Sequence, residues 1–241
     1  MSPVYDESTF ESHIVASMLD RGWTQGDNSS YSPELALDTS QLFTFIGATQ
    51  PDTFEELATR CGGSQDKAQA TFAKTLAKRI DTEGILHVLR KGITVEGLKF
   101  ALAYFKPSHT IAENALANYH ANRLSVTRQL RYATRDDGQG RALDLGLFVN
   151  GIPVATAELK NPLTGQNVND AKYQYVRDRD PRELLFNKRA LVHFAVDPDL
   201  VFITTRLAGK DTRFLPFNTG SEGPGNTGGA GNPFPAADQS G

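Results

Sequence analysis

LDLGLFVNGIPVATAELK, running from Leu143 to Lys160, is the stretch on which the fold turns. Leu143, Leu145 and Leu147 alternate with Asp144, Gly146 and Phe148, the two-residue period of a strand whose successive side chains face opposite ways. Asn150-Gly151 follows. It is the pair best suited to a two-residue hairpin turn, because both turn positions need positive φ. The second strand runs from about Ile152 to Leu159 and is mostly apolar, the pattern of a strand covered on both faces. Three charged side chains break the apolar ribbon: Asp144, Glu158 and Lys160. Buried charges are costly unless paired or bound to metal. Glu158 and Lys160 are two apart and share a face. A turn centred on Asn150-Gly151 pairs Asp144 near position 157, one residue short of Glu158. Strand twist or a bulge would bring the two carboxylates together.

Two carboxylates and a lysine on one edge suit a hard cation. Mg²⁺ prefers carboxylate oxygens and keeps several waters. The metal can polarise a phosphoryl oxygen and help generate hydroxide, and a lysine can hold the attacking water or offset transition-state charge. The alternative is a structural salt bridge between Lys160 and either acid. An Asp followed fourteen residues later by Glu-x-Lys is common by chance, so spacing alone favours that alternative.

The surrounding residues add a resemblance. The run from Asp144 through Glu158-Leu-Lys160 to Asn161-Pro162 resembles the nuclease core of the restriction (R) subunit of type I restriction–modification enzymes, a member of the PD-(D/E)xK superfamily. The likeness continues upstream in Asn122 to Tyr132, and near the N-terminus in Phe10 to Ile14 and Gly22-Trp23. It covers nearly the whole chain. It implies an α/β (α+β) fold with a restriction-endonuclease-like αβββαβ core, and an Mg²⁺-dependent endonuclease acting on double-stranded DNA. Asp144 and Glu158 would bind metal, with the Leu159 carbonyl as a further ligand, and Lys160 would assist the attacking water. The superfamily often carries an acidic residue on its first helix, facing the metal site. Glu11 holds that position here, although Ser8-Thr-Phe-Glu11 also fits a helix-capping box. A Gln-x-x-x-Tyr motif often follows the Glu-x-Lys strand. Gln174 matches its Gln, but the fourth residue after it is Asp178, so the Tyr does not carry over. In such enzymes a helicase motor in the same subunit consumes ATP, the methyltransferase and specificity subunits are partners, and cutting follows translocation. The competing classes are a non-cleaving module that docks motor to methyltransferase core, and a stand-alone repair or junction nuclease.

The 241 residues are enough for a full core, and 39% hydrophobic and 22% charged content is ordinary for a globular protein. No apolar run reaches the ~18 residues of a membrane span, and the N-terminus lacks a basic-then-apolar signal pattern. The expected location is cytoplasmic. The lone Cys61 excludes an internal disulfide, and no Cys/His cluster has zinc spacing. A net charge of −3 argues against a generally sticky DNA binder. Between Lys160 and Arg189, however, seven Lys/Arg face four acids, an excess that suits a phosphate backbone as well as a solvated helix.

In chain order, a first helix is expected from Ser8 to about Arg21, ended by Gly22. Residues 26–38 read as loop. A mostly helical insertion follows over about 40–120, with helices at 39–46, after Gln50-Pro51 with Asp52 or Thr53 as cap, at 65–80 and at 82–90. A candidate strand lies at Lys99–Tyr104. Strands are expected at Arg123–Thr134 and in the hairpin, then a helix capped by Asn167 or Asn169 and running to Arg179, then a second hairpin around Asp197-Pro198-Asp199. Residues 1–218 form the expected nuclease domain. Residues 219–241, rich in Gly, Pro, Ser and Asn, read as a flexible linker toward a motor that is not in this chain, which has no G-x-x-x-x-G-K-[ST] loop.

Overall fold

The computed structural model describes residues 7–107, 113–134, 141–161 and 165–217. In chain order its elements are α1 (Glu7–Leu19), β1 (Thr24–Gln25), β2 (Tyr31–Ser32), β3 (Leu37–Asp38), α2 (Thr39–Thr49), α3 (Pro51–Arg60), α4 (Gln65–Glu83), α5 (Ile85–Lys91), β4 (Ile93–Val95), β5 (Leu98–Phe100) and α6 (Glu113–His120). The second half holds β6 (Leu124–Arg131), β7 (Ala142–Val149), β8 (Ile152–Leu159), α7 (Val168–Arg177), β9 (Val192–Val196), β10 (Val201–Thr204) and β11 (Leu215–Pro216). The main sheet runs β1-β6-β7-β8-β9-β10-β11. β6, β7 and β8 are an antiparallel meander, and β9 lies parallel to β8 after the α7 crossover. The order α1, β6–β8, α7, β9 is the expected αβββαβ core. The expected turn at Asp136–Gly140 and the tail beyond Asn218 lie outside the described residues.

The central hairpin forms as its sequence dictates. Asn150 and Gly151 sit at φ +51° and +78°, both in the left-handed region that this turn requires. One feature goes beyond simple pairing. Phe148 faces Pro153 and Leu147 faces Ala155, so Val154 is an extra residue on β8. Its carbonyl accepts instead from Leu191 N at 2.9 Å. The bulge advances the register by one: Leu145 pairs with Ala157, which places Asp144 opposite Glu158. The two acids therefore meet because Val154 bulges.

The turn end of the hairpin is buried in the insertion. Leu42, Phe45, Phe72, Leu76, Val88 and Phe100 belong to a cluster that also takes Ile152, the first residue of β8. Gly151 O accepts from Asp38 N at 2.8 Å. A Cβ on Gly151 would stand 2.2 Å from Asp38 O, so glycine is required by space as well as by φ. Arg189, from the π-helical turn Leu185–Arg189, adds a second tie: its Nη1 donates to Asp81 at 2.5 Å and its Nε to Leu35 O at 3.1 Å. α4 buries Ala68, Phe72, Leu76 and Ile80, the face its spacing predicts. Three local expectations are corrected. α3 begins at Pro51 with Gln50 as cap, because Pro fits the first helical turn. The break between the two helices expected at 65–80 and 82–90 falls later, at Gly84 with φ +81°, so α4 runs on to Glu83 and α5 starts at Ile85. The strand at Lys99–Tyr104 is the shorter β5, paired with β4.

α7 closes the other face. Asn167 and Asp170 form a reciprocal capping box at its start. Asp197 holds the same corner by accepting from Val168 N at 2.9 Å, while Asp199 N and Leu200 N turn β9 into β10 on its other oxygen. Among the described residues no helix is long and apolar enough to cross a membrane.

Candidate active site

Asp144 and Glu158 lie opposite each other on β7 and β8, and Lys160 follows two residues on, just past the end of β8. Asp144 is half-buried; its Oδ2 accepts from Leu159 N at 2.7 Å. Glu158 is fully buried. Its Oε1 accepts from Arg179 Nε at 2.6 Å, while its Oε2 has no hydrogen-bond partner among the described residues. Burial pushes the Glu158 carboxyl up to about 8 against the pull of Arg179, and the charge of Asp144 adds to the rise.

Arg179, two residues past α7, is itself buried. Its Nη2 donates to Ala142 O at 2.8 Å, and its guanidinium sits 5.7 Å from the centre of the Tyr132 ring. One side chain thus ties the end of α7 to both strands of the hairpin. Breaking such a buried pair by removing one partner costs about 3–5 kcal/mol. Beneath Glu158 the same strand face is joined by neutral groups. Thr156 Oγ1 is 2.8 Å from both Tyr175 Oη and His193 Nδ1. Burial lowers His193 to about 4, so at neutral pH it adds no charge below the site.

Glu11 reaches the site from α1. The helix already contains Ser8, so the capping-box reading is corrected. The Glu11 carboxylate is instead held by Arg128 Nε and, at 2.8 Å, by Gln129 Nε2. The same Gln129 amide donates to Asp144 Oδ1 at 3.3 Å, linking the first-helix acid to the hairpin acid. Gln129 lies at φ +47°, a strained conformation for a non-glycine residue inside a strand, and the register places it across from Asp144. Gln174 lines a cleft of about 210 Å³ with Lys160, Gln166, Asp170, Tyr173 and Asp178, and its Oε1 has no partner among the described residues. A larger cavity of about 510 Å³ is lined in part by Arg141, Asp180 and Arg182, chain neighbours of Ala142 and Arg179.

The geometry therefore brings Glu11, Asp144 and Glu158 to one end of the hairpin, and Lys160, two residues past Glu158, shares its cleft with Gln174. Arg128, Gln129 and Arg179 were not singled out by sequence. Among the described residues no three His, Cys, Asp or Glu side chains form a ready metal cage. A buried carboxylate oxygen without a partner, across from a second carboxylate, nonetheless suits a hard cation that takes few protein ligands. No curated protein matches the chain. A family model for the type I restriction enzyme R protein N terminus matches residues 5–221. Nearly the whole chain falls within that match, and the chain belongs to the type I restriction enzyme R protein N-terminal family.

Proposed function

We propose that this chain is the Mg²⁺-dependent endonuclease unit of a type I restriction enzyme and hydrolyses phosphodiesters of double-stranded DNA. The observation that carries the reading is the bulge at Val154, which sets Asp144 opposite Glu158, whose Oε2 has no hydrogen-bond partner among the described residues, two positions before Lys160. Asp144 and Glu158 would hold the cation, with the Leu159 carbonyl as a third protein oxygen. When bound, Mg²⁺ polarises the scissile phosphoryl oxygen and acidifies a water. The chain's own groups do the rest. The Leu159 N–H fixes the rotamer of Asp144, and the Gln129 amide holds it from the other oxygen. Lys160, largely buried beside the cleft, is placed to donate to the attacking water or to the phosphate oxygens as negative charge grows. Gln174 presents an amide to the same cleft.

The proposed partners are double-stranded DNA, the methyltransferase and specificity subunits, and an ATP-driven helicase motor whose translocation precedes cutting. The test is Asp144→Ala in the assembled enzyme. DNA cleavage should fall by at least about 10²-fold, since a metal ligand and its charge are lost together, while ATP hydrolysis continues. Double-strand cleavage at the wild-type rate would rule out the assignment.

A further inference from the structure

We propose that Arg179 is the positioning residue of the cation site: it fixes the Glu158 carboxylate so that one oxygen is spent on the protein and the other is presented to the metal. The inference rests on the nuclease reading above and adds to it a residue outside the acid–acid–lysine set. Three observations carry it.

First, Arg179 divides the carboxylate. Its Nε takes Oε1 at 2.6 Å and leaves Oε2 buried without a partner among the described residues. A guanidinium is able to take both oxygens of a carboxylate in a fork, and frequently does so. Here the second arm goes elsewhere: Nη2 donates to Ala142 O at 2.8 Å. Second, that carbonyl lies on β7, two residues before Asp144. The same planar group is thus anchored to the strand of one acid and to the side chain of the other, and it fixes their relative placement. Third, the guanidinium is held from below by the Tyr132 ring and is almost wholly buried, so it cannot swing to solvent. A long-stemmed charge on a helix surface would be free to move; this one is pre-organised. Its position on the chain agrees: Arg179 directly follows Asp178, the residue standing four places after Gln174.

Positive charge beside a cation site also repels the cation. Orientation outweighs that repulsion here, because a buried carboxylate without this anchor is not held to one rotamer. Partners that orient metal ligands from behind typically control affinity by about 10–100-fold.

The experiment uses the assembled enzyme with Arg179→Gln, Arg179→Lys and Glu158→Gln, measuring DNA cleavage against Mg²⁺ concentration and ATP hydrolysis in parallel. Arg179→Gln should need about ten-fold or more Mg²⁺ for half-maximal cleavage, with much of the rate recovered at saturating metal. Arg179→Lys keeps a charge that reaches Glu158 but cannot also hold Ala142 O, so it should lie between wild type and Gln. A purely structural role would lower the amount of active enzyme without moving the Mg²⁺ midpoint. If Arg179→Gln does not fold, the midpoint of Arg179→Lys decides, and an unmoved midpoint overturns the proposal. A lower Mg²⁺ requirement in either variant overturns it too, since Arg179 would then be a competitor of the cation. Should Glu158→Gln cleave normally, the nuclease reading itself fails; should Glu158→Gln be inactive while Arg179→Gln behaves as wild type, only the role of Arg179 fails.

Discussion

Lys160→Ala should reduce DNA cleavage by about 10²–10³-fold, the range seen when one group that stabilises developing charge is removed, and should leave cation binding in place. The two acids that would hold the metal are on β7 and β8, and neither depends on the Lys160 side chain for its hydrogen bonds to Leu159 N and Arg179. The backbone of Lys160 is held independently, its N–H donating to Val196 O at 2.8 Å, so the truncation does not free the strand end. The variant should therefore separate chemistry from metal binding. Single-turnover cleavage in the assembled enzyme and cation-dependent melting of this chain are the two readouts. Cleavage within a few-fold of wild type would remove Lys160 from the chemistry. Loss of the melting response as well would make it a structural part of the cation site.

Asn150→Ala should destabilise the fold by roughly 3–4 kcal/mol, among the larger effects expected of any single substitution here. Asn150 is fully buried and makes three side-chain hydrogen bonds. Its Oδ1 accepts from Arg123 N at 2.6 Å; its Nδ2 donates to Leu102 O and to Asn122 Oδ1, both at 2.9 Å. Alanine would take the side-chain partner from Arg123 N and Leu102 O, while Asn122 Oδ1 keeps Tyr104 N, at about 1–3 kcal/mol for each buried group that water cannot reach. It would also sit at φ +51°, where Asn is tolerated and Ala is strained by about 1 kcal/mol. Asn150→Gly removes the strain but not the lost bonds, and should recover only the smaller part. Urea melts of the three proteins measure both contributions. A loss under about 1 kcal/mol for Asn150→Ala would mean that the turn is set by backbone geometry alone.

The same hairpin explains what the sequence could and could not reveal. Its strands and turn were legible because a period of two and an Asn-Gly pair each have one local physical meaning. The bulge was harder: Val154 looks like every other apolar residue on β8. A signal was nevertheless present in Pro153, since proline cannot donate to a ladder and in an interior strand it marks a bulge. Read that way, Pro153 shifts the register by one and places Asp144 opposite Glu158. Gln129 gave no such signal, because its role depends on a left-handed backbone that nothing in its side chain requires. Arg179 was one cation among seven between Lys160 and Arg189. Only the tertiary path of the chain selects it, by bringing the end of α7 over Ala142 and Glu158. Glu11 was ambiguous for a related reason: a carboxylate three residues into a helix suits a cap or a long-range partner equally, and Arg128 and Gln129 supply the partner.

The central claim is that Asp144 and Glu158 together form a divalent-cation site, and thermal melting of this chain with and without Mg²⁺ or Mn²⁺ tests it most directly. A ligand that binds the folded state alone stabilises by about 1.4 kcal/mol at ten times its Kd, a rise of roughly 3–6 °C for a chain of this size. The wild type should show that rise at millimolar metal, since DNA phosphates normally complete the shell and binding without them is weak. Asp144→Asn should be as stable as the wild type or more so without metal, because the repulsion across the strand pair is gone, and should not respond to added metal. A response of equal size in Asp144→Asn, or none in the wild type even with a DNA duplex present, would contradict the claim.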